Sequence, residues 1–494
     1  MFLAADIGAG SVRVAAVDAA GRCAAIETRS LAIAEPIPGW AEIDPECWWQ
    51  ALCVGVGRVL DRLPTGSRPS ALCLTGMTRS QVLLDRHGRS LRAAILWRDR
   101  RASEDATIVA RHYRPSRNPA TSVNAFHPLA RLAWLRRVEP ENFADLALVL
   151  EPKDYLNYRI TGAIGADAVT AARLDELVGL ASPDAPEWLQ RCVSLLDHPR
   201  PMPWARIGEV VTSEAPFHDL RGLPVFAGAM DTWAGAIGSG AAAPGQAYDV
   251  AGTSEAVGLV TLAKPRVPGL VSLPWAENAY QVGGPTQAGG DAARWAYDAF
   301  RVQGRFEVAV ERVGGLAPTD DLPVFLPYLA GERAPVWRSD VRGVFDGLSR
   351  HHEGDALLWS ALEGVAASVR DVLDTAFSGS GEAVGEVRIS GGGARSDAWC
   401  QLKANVIGVP VVRPTEVETG LIGCAAACAA GLGLFPTLAA AADAMNRIDR
   451  VFEPDRTLTA LFEARAERYR HLKRFALANG YGGDADLTPA PRPR

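Results

Sequence analysis

The sequence predicts an α/β protein built from two similar domains. Three observations carry this. The chain has 494 residues, more than one ordinary hydrophobic core accommodates. Strand-like runs with helical runs between them fill both halves. A strand–glycine turn–strand unit, "LAADIGAGSVRVAAVD" (3–18), has a counterpart half a chain later in "YDVAGTSEAVGLV" (248–260). Recurrence at that separation indicates a duplicated domain.

The first unit is a hairpin and not a dinucleotide fingerprint. Gly8-Ala9-Gly10 is followed by Ser11 and a Val-rich strand that turns at Asp18–Gly21, where a fingerprint would open a helix. A P-loop is excluded because no Gly-Lys-Ser/Thr follows. The turn can still hold phosphate: glycines let backbone N–H groups converge, and Ser11 adds a hydroxyl. Gly252-Thr253-Ser254 form the second such turn, just after Asp249. Further along, Asp44-Pro45 reads as N-cap and first helical position, with Trp48, Leu52, Val56 and Leu60 on the apolar face. "ALCLTG" (71–76) and "VLLD" (82–85) read as strands and "PLARLAWLRR" (128–137) as a helix. "LPVFAGAMD" (223–231) reads as a strand ending at an Asp. The small residues "GSGAAAPGQA" (238–247) read as a hinge between halves. In the second half, a long helix over about 354–377 precedes a strand, then Gly391-Gly392-Gly393, then another helix. The tail after Gly480 is Pro- and Gly-rich and is expected to be disordered.

Composition narrows the function. Apolar residues make up 48% and charged residues 22%, as in a soluble globular protein. A net charge of −6 offers no basic stripe for nucleic acid, so any anionic ligand must be held by local donors. The 8 cysteines form no CxxC pair, which reads as reduced, mostly buried thiols in a cytoplasmic protein. Asp6 interrupts the N-terminal apolar stretch, so no signal peptide is expected. Residues 419–442 are uncharged and long enough to cross a bilayer. They are nevertheless built of Ala and Gly with Pro436 inside, and read as a buried helix that breaks near Gly433, with no membrane partner.

Dispersed motifs in a fixed order then point to a family. "DIGAGS", "WAEIDPECWW", "AILWRDRRA", "PKDYL", "GAMDTWAGAIG", "GTS", "FLPYLAGERAP", "GVFDGL" and "SGGGARSDAW" together resemble the FGGY carbohydrate kinases of the actin-like ATPase superfamily. The likeness is greatest to bacterial xylulokinases and runs from residue 1 to about 455. It implies two ribonuclease-H-like domains flanking a central cleft. Residues 1–240 would hold the sugar and the first phosphate loop, and 241–480 the nucleotide and the second loop, with 481–494 as tail. It also implies ATP and Mg²⁺ as cofactors, a small-molecule sugar as partner, and a homodimer as a family-level expectation. The implied reaction is phosphorylation of a sugar hydroxyl, with a pentulose such as D-xylulose as lead substrate. Another ketose, a polyol or a sugar acid is the alternative. A sugar-binding protein without turnover and a phosphohydrolase are rival readings.

The resemblance assigns roles residue by residue. Asp231 matches the catalytic Asp and would take the proton of the attacking hydroxyl; an Asp before a helix is otherwise commonly a cap. Asp6 would face Mg²⁺ through water, or else merely close its turn. Gly8, Gly10, Ser11 and Arg13 on the first hairpin, and Gly252, Thr253 and Ser254 on the second, would meet phosphate. Gly391, Gly392 and Gly393 would let adenosine lie on backbone, with Ser396 beside them, though a tight strand-to-helix turn explains the same glycines. Gly420 to Gly423 would also face the nucleotide. Thr78, Arg79, Trp97 and Asp99 would meet the sugar; a core Trp and a surface Asp are the plain alternative for the last two. One departure stands out: counting back from Leu83-Leu84-Asp85, Arg79 occupies the place where xylulokinases carry a His. Arg98 likewise stands where they usually carry Asn.

Overall fold

Each half of the chain builds one mixed sheet on the same plan. The structure, a computed structural model, describes residues 1–114 and 118–480; the expected tail, 481–494, lies outside the described residues. The first sheet contains Phe2–Ile7 (β1), Ser11–Val17 (β2), Cys23–Ser30 (β3), Ala71–Gly76 (β4), Arg206–Glu209 (β5) and Pro224–Phe226 (β6), in the order β3-β2-β1-β4-β6-β5. The second contains Gln246–Ala251 (β7), Glu255–Thr261 (β8), Val271–Ala276 (β9), Ala279–Pro285 (β10), Glu386–Ser390 (β11), Val411–Pro414 (β12) and Ile448–Phe452 (β13). Its order is β9-β10-β8-β7-β11-β12-β13. In each, an antiparallel meander adjoins two parallel strands and an antiparallel edge. The duplication read from the two hairpins is therefore present in the topology. The second sheet adds one edge strand, β9.

Local chemistry accounts for the elements. Asp44 caps the Pro45–Asp61 helix by accepting from the Glu46 amide at 2.9 Å, with Pro45 in the first turn. That helix buries Trp48, Leu52, Val56 and Val59 in the core beside β2. The expected helices over 128–137 and 354–377 are present as Pro128–Val138 and Gly354–Ser380. The strand expected over 223–231 is shorter, Pro224–Phe226, because the chain leaves the sheet before Asp231.

The Ala/Gly-rich stretch forms a helix over Thr419–Gly431, and Gly433 follows at φ +72°. This helix packs on β1 and β4 of the opposite half. It also crosses the Asp231–Gly238 helix through glycines. A Cβ on Gly423 would lie 2.0 Å from the Ala234 carbonyl oxygen, and one on Gly238 1.8 Å from that of Thr419. One expectation is corrected here. Gly423 is a packing residue rather than one facing a nucleotide. The stretch from Gly238 to Ala242 is buried, so small size serves close approach there. Among the described residues no helix is long and apolar enough to cross a membrane.

Candidate active site

Parallel strands end on one side of each sheet, the usual edge for ligands in α/β folds. Both glycine hairpins turn at that edge. In the first, β1 ends and the Gly8 amide donates to the Ser11 carbonyl at 2.9 Å; a Cβ on Gly10 would meet nothing within 4 Å. In the second, the Gly252 amide donates to the Ser254 carbonyl at 3.1 Å. The Gly252 and Thr253 carbonyls accept from Gly290 and Asp291, which open the Gly290–Ala299 helix. Thr253 is exposed.

A cavity of about 340 Å³ is walled by both halves: Met77, Thr78, Arg79 and Asp231 belong to the first half, Gln281 and Arg333 to the second. Asp231 lies in the first turn of its helix, and the N-cap position is Met230. The Met230 amide is held by Thr170 Oγ1 at 3.0 Å. Asp231 Oδ1 accepts from the Thr232 amide at 2.6 Å, while Oδ2 makes no hydrogen bond among the described residues. The carboxyl reaches solvent through the cleft, yet the surrounding walls limit its hydration and hold its pKa above the ordinary range.

Next to it sits a compact charged group. Arg13 Nη1 lies 3.2 Å from Asp6 Oδ2 and 3.4 Å from Glu418 Oε2. Burial, and then the nearby Asp231 charge, push Asp6 up to about 7. Asp6 and Glu418 thus share one guanidinium, with the Asp231 charge nearby. Such a surplus of hard oxygen donors fits a divalent cation such as Mg²⁺ held partly through water. Glu418, just before the Thr419–Gly431 helix, was not singled out from the sequence, although "ETGLIG" adjoins the glycines that were.

Thr78, Arg79 and Trp97 line the cavity as expected, and Trp97 is 49% exposed. Ser80 Oγ accepts from the Trp97 amide at 3.1 Å. Asp99 is not brought to the cavity. It is fully buried and accepts from the Ala41 amide at 2.6 Å and from Arg101 Nε and Nη2 at 2.9 and 2.7 Å. Arg101, two residues on, captures the carboxylate for loop bracing. The backbone at Arg79 is left-handed, φ 58°, unusual for a bulky residue. Glu151 stabilises it by accepting from the amides of Arg79 (2.9 Å) and Ser80 (3.3 Å), and the buried Arg131 donates to the Arg79 carbonyl. Burial pushes Glu151 up to about 8. Glu151, Arg131, Arg173 and Arg333 were all missed from sequence. The only signals were neighbouring motifs, "PKDYL" after Glu151 and "LAGERAP" around Arg333.

On the other side of the cleft, Gly391 has φ +83°, and a Cβ there would lie 2.6 Å from the Ala251 carbonyl oxygen. A Cβ on Gly393 would lie 2.8 Å from that of Ala251. These glycines therefore seat the turn against the second hairpin, bringing Gly391–Gly393 beside Gly252–Ser254. Only Gly392 is open, with nothing within 4 Å of a Cβ. Ser396 is the N-cap of the Asp397–Ile407 helix: its oxygen accepts from Trp399 N at 3.1 Å and its hydroxyl donates to Glu311 at 2.6 Å. Its donor and one of its two acceptor positions are engaged in that cap, so a nucleotide contact there would have to compete with it.

Comparisons with known proteins identify the family. The FGGY family of carbohydrate kinases, N-terminal domain, matches residues 1–238, and its C-terminal domain matches residues 247–432. The chain is 31% identical to the xylulose kinase of Escherichia coli over 433 residues, 85% of this chain and 87% of that one. It is 28% identical to the xylulose kinase of Staphylococcus epidermidis over 475 residues, 94% of each. The crystal structure of the xylulose kinase from Rhodospirillum rubrum superposes with a TM-score of 0.83 at 25% identity, covering 96% of this chain and 98% of that one.

Proposed function

The chain belongs to the FGGY family of carbohydrate kinases, whose members use ATP, and on that premise we propose that it transfers the γ-phosphoryl group of ATP to a hydroxyl of a sugar of pentulose size. Asp231 acts as the general base. The observation that carries this reading is the free Oδ2 of Asp231 in a cavity walled by both halves. Phosphoryl transfer asks mainly for positioning and charge neutralisation. Trp97 and Thr78 give the sugar an apolar face and a hydroxyl partner. Asp231, with its pKa raised, can take the hydroxyl proton at neutral pH.

Gly8, Gly10 and Ser11, with Gly252, Thr253 and Ser254, hold phosphate oxygens from two sides, and Gly392 leaves backbone open to the nucleoside. Asp6, with Glu418 nearby, would hold Mg²⁺, which supplies neutralisation of phosphate charge when bound. Arg13 pairs with both carboxylates and fixes their positions. The names of xylulose kinases similar to the chain support a ketopentose as the reference substrate. The test is ADP release from ATP with Mg²⁺, with and without D-xylulose and related sugars. Sugar-dependent release supports the reading. Release at the same rate without any sugar contradicts it.

A further inference from the structure

The cavity has an imbalance of charge that the reaction does not use. Four guanidiniums line it (Arg79, Arg131, Arg173 and Arg333), against two carboxylates, Glu151 and Asp231. The whole chain, by contrast, carries −6. Arg131 is spent on the carbonyls of Arg79, Leu96 and Trp97. Arg173 pairs with Glu176 at 2.7 Å and donates to the Ala120 carbonyl, leaving its Nε buried and unbonded. Among the described residues the Arg333 guanidinium donates only to the Thr286 carbonyl, and it also leaves a buried, unbonded Nε. The Arg79 side chain makes no hydrogen bond, and neither Arg79 nor Arg333 forms an ion pair among the described residues.

The acids that face these groups accept from backbone amides, and Glu332 Oε2 stays buried and unbonded. Glu151 accepts from two backbone amides. Glu332 Oε1 accepts from the amides of Gln287 and Arg333, and Asp291 Oδ1 from those of Gly289 and Ala292. Arg79 is moreover held in a left-handed backbone from both sides, by Glu151 and Arg131. Such a conformation persists only where the surroundings fix it, and here they aim a guanidinium into the cavity. Arg173 and Arg333 lie close enough that, after burial, their charges help hold Arg79 down to about 10. Cavity cations that outnumber the cavity carboxylates leave a place for another anion.

Resting on the kinase reading above, we infer that the sugar phosphorylated here carries a carboxylate, held by the Arg79 guanidinium with Arg173 and Arg333 adding charge. The guanidinium is planar and matches a carboxylate with two parallel N–H···O bonds. The cavity, about 340 Å³, admits a sugar acid of five or six carbons. The other anion that visits the cleft is the terminal phosphate of ATP, and the test separates the two.

Full-length protein is assayed for ADP release against neutral D-xylulose, L-xylulose and D-ribulose, and against anionic D-xylonate, D-gluconate and L-gulonate. For at least one acid, kcat/KM exceeds that of the best neutral sugar by about tenfold or more. Arg79→Gln lowers kcat/KM for that acid by about a hundredfold, with KM for ATP within about twofold of the parent. Arg79→Lys recovers part of the loss, since it keeps the charge but not the fork. A neutral ketose that outperforms every acid overturns the inference and leaves the kinase reading standing. An Arg79→Gln effect on KM for ATP in place of the sugar assigns the guanidinium to phosphate and overturns it too. If no sugar of either set stimulates ADP release, the kinase reading falls and binding decides the inference. D-gluconate must then raise the Tm of the parent protein and not that of Arg79→Gln; no such difference overturns it.

Discussion

The two hairpins share a backbone design and differ in what surrounds their carboxylates. On the first, Asp6 lies at the cleft, shares Arg13 with Glu418, and faces Asp231. On the second, Asp249 is fully buried, with Lys403 Nζ 2.5 Å from Asp249 and 2.7 Å from Glu255. Lys403 lies on the helix that follows the Gly391–Gly393 turn, so this pairing ties the second hairpin to that turn. Burial and the adjacent Asp249 push Glu255 up to about 8, and the Lys403 ammonium bridges the two carboxyl groups. One hairpin carries its carboxylate part-exposed at the cleft. The other buries its own against Lys403 and so holds a loop still. Duplication supplied the same turn twice, and burial decided which carboxylate a ligand can reach.

The largest expected effect breaks the second hairpin. Lys403→Met strands two buried carboxylates and should destabilise the protein by about 3–5 kcal/mol, read as a shifted denaturant midpoint. A small loss would mean that the triad is not the brace described. The next effect is on the first hairpin and has the opposite sign for stability. Asp6→Asn should lower kcat by about 10–100-fold, because the carboxylate proposed to hold Mg²⁺ is gone. It should also stabilise the protein by about 1 kcal/mol at pH 8.

The sign follows from linkage. With a folded pKa of about 7, Asp6 keeps a proton that the unfolded chain releases above about pH 4. Its contribution is therefore favourable at low pH and is lost as pH rises toward 7. The stability difference between Asp6→Asn and the parent should grow over that window and level off above it. Unfolding curves at several pH values measure this. The smallest effect sharpens the assignment of the nucleotide side. Ser396→Ala should cost about 1 kcal/mol as a lost N-cap and leave KM for ATP within about twofold. A rise in that KM beyond about tenfold would return Ser396 to the nucleotide site.

Much of the framework could be read from the chain alone. Glycine turns between strands marked both hairpins, and an Asp between a strand and a small-residue helix marked Asp231. What sequence could not supply was decided by long-range assembly. Arg79, Arg173 and Arg333 come from three distant segments, and only the folded cleft makes them neighbours. Asp99 looked free because its captors, Arg101 and the Ala41 amide, become partners only through the loop's path. Glycines at 391, 393 and 423 were ambiguous in principle. A missing Cβ serves a ligand or a crossing backbone equally well, and only the surrounding atoms tell which.

The most direct test of the central claim is the sugar-dependent rate of ADP release by Asp231→Ala beside the parent, with unfolding curves to show that both are folded. The account predicts a folded variant whose rate falls by about 10²–10⁴-fold, with KM for ATP little changed. A folded variant that keeps the parent's sugar-dependent rate would contradict it, and would make Asp231 a structural residue of its helix.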